Sequence, residues 1–209
     1  MQDSEPIEYF FSLASPWTYL GSREFEKLID RTRKPVKFKP IDLGKVIVAA
    51  GGKQLKDRPA PVQAYRLVEL ARWRELRKID LVLWPKYFGA DQSLSHRMVL
   101  AAVEMEANVF PFLHAVSEAK WAFERDVGDP SVLQEIAEST GLDGAALRHA
   151  ADKPSISEEE RKLTDEAIDR SVFGAPFYIY RGEPFWGQDR LDQLEAAIVG
   201  RRAPITGRE

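Results

Sequence analysis

The chain has 209 residues, 44% of them hydrophobic and 11% aromatic, which is enough apolar material for a full core in one large domain or in a small domain carrying an insertion. Its 30 basic and 33 acidic residues are interspersed and leave a formal net charge of −3, a pattern without the basic face that nucleic-acid binding uses. There is no cysteine, which excludes a disulfide, a thiolate-held metal and any thiol nucleophile of the protein's own. The stretch from Met1 to Pro6 lacks the basic start and apolar run of a secretion signal, and no apolar run approaches the ~18 residues of a membrane span. The expectation is a soluble cytoplasmic protein with neither a nucleic-acid nor a membrane partner.

Ile7 to Leu13 is aromatic and apolar and reads as a buried strand. Ser15-Pro16 follows, a good N-cap and a residue suited to the first helical position, and Trp17, Leu20, Phe25, Leu28 and Ile29 supply a helical apolar face to about Ile29. Arg31 to Pro35 is a turn, and Val36 to Lys39 alternates as a second strand ended by Pro40. Strand, helix, strand at this spacing predicts a parallel unit with a right-handed crossover.

From Leu43 to about Arg170 the pattern is helical, with breaks at Gly51-Gly52 and from Arg58 to Pro61. Helices are expected over Val62–Leu76, Ser95–Ala107, Pro111–Arg125 and Pro130–Ser139, with Leu81 to Pro85 as a short apolar connector. Ser157-Glu158-Glu159-Glu160 has the capping-box pattern and is expected to open a helix to about Arg170. Trp121 and Phe123 are expected in the core, and the basic run Arg72 to Lys78 on a solvated face. Pro176 to Tyr180 and Glu183 to Trp186 then read as a hairpin around Arg181-Gly182, followed by a helix capped by Asp189 and running through Ile198. The polar tail from Gly200 to Glu209 is expected to be loose.

Removing the helical block leaves β-α-β-α-β-β-α, the order of a thioredoxin fold. The fold class is therefore α/β, a thioredoxin-like domain built from residues 1–42 and 171–209 and interrupted by a helical insertion over residues 43–170.

Three segments carry a family resemblance. Tyr9-Phe10-Phe11-Ser12-Leu13-Ala14-Ser15-Pro16-Trp17-Thr18-Tyr19-Leu20-Gly21 resembles the opening of 2-hydroxychromene-2-carboxylate isomerases and kappa-class glutathione transferases, within the DsbA-like branch of thioredoxin folds. Val172 to Phe177 resembles their proline loop, and Phe185-Trp186-Gly187-Gln188-Asp189-Arg190-Leu191 their C-terminal signature. The segments occur in the family's order and span nearly the whole chain.

The resemblance implies glutathione as cofactor and Ser15 as the catalytic residue. A serine ahead of a proline is also an ordinary N-cap, so Ser15 has two readings. In the sharper one, Ser15 stands where redox relatives carry the first cysteine of Cys-x-x-Cys, at a strand-to-helix junction that stabilises a thiolate, here one brought by glutathione. Lowering a thiol pKa by two units takes about 2.7 kcal/mol. A helix terminus supplies about 0.3–1 kcal/mol, up to ~2 when partly buried, and a hydrogen bond to an anion ~1.5–3. The helix end alone falls short; together with Ser15 it suffices.

The resemblance also implies that Ala175 and Pro176 pair with the peptide part of glutathione as an added strand does. Gly187, Gln188, Asp189 and Arg190 would receive its γ-glutamyl end, with Asp189 on the ammonium; Arg190 either pairs with a carboxylate or lies in solvent. Trp84 and Pro85 resemble a segment that lends backbone bonds to glutathione, against the alternative of a core tryptophan. His96, His114 and His149 are too dispersed for a metal site, and no metal is expected.

The family's substrate lysine, expected after Ile41-Asp42-Leu43, falls at Ile47, with Lys45 nearby, and its Asn-Arg pair has no clear counterpart in Lys53 to Arg58. The glutathione half is intact while the second-substrate half has changed, so the identity of the electrophile is left open. The implied activity is a glutathione-dependent cis–trans isomerisation of an aromatic 2-oxo acid, by reversible thiolate addition to a conjugated double bond, or a related glutathione transferase acting on an aromatic or conjugated-ketone substrate. The alternative is a non-catalytic thioredoxin-like binding module that has lost its redox cysteines. Family members are commonly dimers, and a homodimer is the matching expectation.

Overall fold

The computed structural model describes residues 5–200 and 202–207, so Met1–Ser4, Arg201, Arg208 and Glu209, with the expectations that fall on them, lie outside the described residues. The chain opens with β1 (Ile7–Phe11), α1 (Pro16–Thr32) and β2 (Val36–Pro40). A helical stretch follows: α2 (Leu43–Ala49), a 3-10 turn (Leu55–Asp57), α3 (Ala60–Arg77), α4 (Ser93–Glu104), α5 (Val109–Trp121), α6 (Pro130–Ser139), α7 (Gly144–Ala151) and α8 (Pro154–Asp169). The chain then returns to β3 (Phe177–Tyr180), β4 (Glu183–Trp186) and α9 (Leu191–Gly200). The strands form one sheet in the order β2-β1-β3-β4, with β1 and β2 parallel and β3 antiparallel to both β1 and β4. This is the thioredoxin arrangement expected from the sequence.

β1 occupies an interior position of the sheet, so both of its faces are buried and alternate residues serve two cores. Ile7, Tyr9 and Phe11 face a large cluster that includes Phe25 of α1, Met98 of α4 and Phe112 of α5. Phe10 faces the other way, onto Ile41, Val46, Ala167, Val172, Phe177 and Ile179. Tyr9 stacks on Tyr178 of β3 with ring centroids 5.1 Å apart, which fixes the β1–β3 register from the side chains as well as the backbone. At about 2–3 kcal/mol per buried large side chain, these rows make the strand pairing a consequence of burial.

The electrostatic counterpart sits on the second face. Lys39 of β2, 8% exposed, donates to Glu8 of β1 and Glu166 of α8, and Arg170 donates to the same two carboxylates. Burial acts to raise the Glu8 pKa, but the bonds from Arg170 and Lys39 outweigh it and hold it at about 2.

Several sequence expectations are corrected. The helix expected from Ser157 begins at Pro154, because proline occupies its first turn and the Ser157 N–H is already bonded to the Lys153 carbonyl; the Ser-x-x-Glu pattern lies inside the helix. Phe123 is not in the core: it follows the end of α5 and is 64% exposed, whereas Trp121 is fully buried. The run Arg72 to Lys78 is solvated only in part, since Arg77 turns inward to the Gln188 side chain at 2.9 Å. The tail is not loose where it is described: Arg202 makes a two-pronged bond to Glu183 at 2.7 and 2.6 Å, and the Ile205 N–H adds a third contact at 3.0 Å. No helix among the described residues is long and apolar enough to cross a membrane.

Candidate functional site

The turn between β1 and α1 is held from three directions. The Ser15 N–H donates to the Ser12 carbonyl at 3.0 Å and the Ala14 N–H to the Ser12 hydroxyl at 3.3 Å, which fold the turn on itself. The Leu13 N–H donates to His96 Nε2 at 3.1 Å, so that nitrogen is the acceptor and Nδ1, 3.5 Å from a Glu160 carboxylate oxygen, carries the proton. His96, 3% exposed, is thus a core histidine that braces the turn from α4. A cavity of about 310 Å3 opens beside this brace, with Ser12, Ala14, Asp42, Lys45, His96 and Glu160 among its walls.

Ser15 is the N-cap of α1. Its Oγ accepts from the Thr18 N–H at 3.3 Å and donates to the Ala175 carbonyl at 3.0 Å, and the residue is 2% exposed. Ser15 therefore caps the helix, as the plainer of its two readings has it, and also touches the proline loop. Pro16 has no N–H, Thr18 is taken by Ser15, and Tyr19 bonds to the Ser15 carbonyl. Trp17 is left as the first-turn N–H without an intrahelical acceptor, next to a helix start that has no acidic residue. This end of α1 favours an anion.

The Ala175–Pro176 peptide bond is cis. The Pro176 carbonyl accepts from the Gly187 N–H at 3.0 Å, which joins the proline loop to the C-terminal signature. Gly187 has φ +108°, a backbone conformation that favours glycine, and a Cβ there would also displace the Asp189 carboxylate, whose oxygen lies 2.5 Å away. Ahead of the loop, Gly174 is covered by the Trp186 indole: a Cβ there would meet Trp186 Nε1 at 2.5 Å. Trp186 and Phe173 pack edge to face with centroids 4.8 Å apart, yet remain 53% and 44% exposed, forming an aromatic wall beside the loop. The sequence analysis assigns neither residue to the candidate site, although each stands directly before a glycine, Gly174 and Gly187.

Ser15, Ala175, Pro176 and Gly187 are thus one connected unit, and the other candidates divide. Asp189 is exposed and does not cap the last helix, which begins at Leu191 with the Leu194 N–H on the Arg190 carbonyl. Asp189 instead lies in the turn and accepts from Arg190 at 2.8 Å, an exposed pair that settles where Arg190 points. Gln188 is 2% exposed and turned inward, its side-chain oxygen held by Arg77 and its Cβ packed where Gly21 of α1 leaves room. Trp84 is not a core tryptophan: it is 59% exposed and stacks on Phe88 with centroids 4.6 Å apart. Pro85 is buried, and Leu81 and Leu83 of the connector share a hydrophobic cluster with Trp17, Tyr19 and Trp121.

Residues 6–199 match the family described as the DSBA-like thioredoxin domain. Among curated proteins, a 2-hydroxychromene-2-carboxylate isomerase of Sphingobium xenophagum is 29% identical over 197 residues, 94% of this chain and 99% of that one. Glutathione S-transferase kappa 2 of Caenorhabditis elegans is 23% identical over 208 residues, 93% of this chain and 92% of that one. A solved 2-hydroxychromene-2-carboxylate isomerase superposes with a TM-score of 0.76 at 29% identity, covering 93% of this chain and 94% of the other. With 194 consecutive positions matched, the helical stretch included, the chain belongs to the DsbA-like thioredoxin-domain family.

Proposed function

We propose that the protein is a glutathione-dependent enzyme, either an isomerase of the 2-hydroxychromene-2-carboxylate isomerase type or a closely related glutathione transferase. The observation that supports this most is the hydrogen bond between Ser15 and Ala175: a hydroxyl at an anion-favouring helix start, in contact with a proline loop, in a chain without cysteine. In this reading the glutathione thiol settles at the start of α1, where the Trp17 N–H and the helix terminus favour its anionic form. Ser15 releases the Ala175 carbonyl and turns its proton to the sulfur, and Ala175 becomes free to accept from the backbone of the peptide. Asp189 takes the γ-glutamyl ammonium by exchange with Arg190.

The thiolate then adds to a conjugated double bond of the second substrate, leaving a single bond that rotates. Elimination restores the double bond and returns the thiolate. If addition is not reversed, the product is the glutathione conjugate, which is the transferase outcome. The aromatic wall of Phe173 and Trp186 gives a flat substrate a surface to lie on.

Isothermal titration of glutathione into wild type and Ser15→Ala at several pH values tests this. Saturable binding with proton release near neutral pH, and loss of that release in the variant, is the expected result. No binding at millimolar glutathione would reject the enzyme reading in favour of a binding module.

A further inference from the structure

Arg66 of α3 is half-buried, and one of its guanidinium nitrogens, Nη1, is fully buried with no hydrogen-bond acceptor among the described residues. No carboxylate pairs with it there; its one recorded contact is the face of Phe88, 5.8 Å from ring centroid to guanidinium carbon. Burial, and then the nearby Arg58, lower its pKa to about 10. Arg58 forms no ion pair among the described residues either, and its Nε donates to the Lys53 carbonyl at 3.0 Å. Arginines elsewhere in the fold, among them Arg23, Arg31, Arg125, Arg170 and Arg202, face carboxylates. A half-buried guanidinium with one nitrogen desolvated and unbonded, beside a second cation, costs stability that an anion reaching it would restore.

The position is adjacent to the proposed glutathione site. Phe88, under Arg66, is stacked on the exposed Trp84 and packs into the cluster that holds Trp17, two residues after Ser15. A guanidinium fork above an aromatic pair suits a carboxylate carried on a flat or extended molecule.

We propose that Arg66, assisted by Arg58, is a carboxylate-binding subsite whose floor is the Phe88–Trp84 stack. It rests on the glutathione reading only for the source of the carboxylate, which is either the glycyl end of glutathione or an acid group on the electrophile. This chain would thereby recognise an acid from α3, in a place different from Ile47, which matches the position of the family's substrate lysine.

The test is titration calorimetry on the full chain with four probes: trans-cinnamate, uncharged benzylideneacetone, glutathione and its glycine ethyl ester. Wild type, Arg66→Met, Arg66→Lys and Arg58→Gln are compared. Arg66→Met is expected to keep or raise the melting temperature, since it removes an unpaired cation, and to weaken one carboxylate probe about 10- to 100-fold while leaving its uncharged counterpart unchanged. Arg66→Lys and Arg58→Gln should give smaller losses with the same selectivity, and serve if Arg66→Met does not fold. Selectivity between cinnamate and benzylideneacetone assigns the acid to the electrophile; selectivity between glutathione and its ester assigns it to glutathione. Equal weakening of charged and uncharged probes, no weakening of either acid, or no acid binding to wild type would each overturn the subsite. Failure of glutathione alone to bind would reject the proposed function while the cinnamate arm still decides the subsite.

Discussion

The Ser15 hydroxyl donates to the carbonyl of Ala175, 160 residues further along the chain, at 3.0 Å, so the start of α1 and the proline loop are held by a single proton. Ser15→Ala should lower stability by about 1–2 kcal/mol, through loss of both this bond and the cap to Thr18, as measured by urea unfolding. Ser15→Cys is the sharper variant, because the chain then carries one thiol only. Its pKa should fall below the ~8.5 of a free thiol, to about 7 or less, in alkylation rates measured against pH. A pKa at or above the free-thiol value would mean that this helix end does not stabilise a thiolate.

Gly174→Ala tests the aromatic wall. The new Cβ would lie 2.5 Å from Trp186 Nε1, so the indole must swing outward, at an expected cost of about 1–2 kcal/mol and with a shifted tryptophan emission. In a Trp186→Ala background the same change should cost under about 0.5 kcal/mol. Equal costs in both backgrounds would place the strain in the backbone instead.

Acid should act on the Glu8 cluster. The folded-state pKa of Glu8 lies at about 2, below its ordinary value of 4.5, so its stabilisation is complete above about pH 4.5 and is lost as pH falls toward 2. Allowing for partial solvent screening, this amounts to about 1–2 kcal/mol. The stability of Glu8→Gln should therefore depend less on pH than that of wild type across this window, and parallel acid-unfolding curves would contradict the assignment.

Lys120 predicts a second rise of stability with pH, at the alkaline end. Burial lowers its pKa from 10.5 to about 8, while it donates to the Tyr87 and Phe88 carbonyls below Trp84. Between pH 8 and about 10 the unfolded chain binds the extra proton, so stability rises with pH. The difference between wild type and Lys120→Met should move toward wild type by on the order of 2 kcal/mol over that range. Denaturant midpoints at pH 7, 8, 9 and 10 would show it, and a constant difference would rule it out.

The sheet was legible because β1 is apolar at nearly every position and α1 carries both cap and proline, signals that need no tertiary context. The connected unit of Ser15, Ala175, Pro176 and Gly187 was likewise legible, from motifs lying far apart in the chain. What escaped depended on what a side chain meets in space. Gln188 reads as a ligand residue until Gly21 and Arg77 draw it inward. Phe123 reads as core until α5 ends two residues before it. α7 escapes because it is short and alanine-rich, and its cap shows only in the structure, where Asp143 accepts from the Ala146 N–H. Arg66 looked like any helix arginine, because lacking a partner is a property of the fold and not of the residue.

The sheet order also sets when the site can exist. Ser15 sits in the turn after the first strand, while Ala175, Pro176 and Gly187 belong to the segment that supplies the third and fourth. On the ribosome, the turn that carries Ser15 must wait through the synthesis of nine further helices and strands, α1, β2 and α2 to α8, before its counterpart arrives. A chain stopped after α8 would keep every helix up to that point and yet have neither the carbonyl that meets Ser15 nor the turn that carries Asp189. Under the proposed function, glutathione binding would therefore report that translation and folding have both reached the end of the sheet.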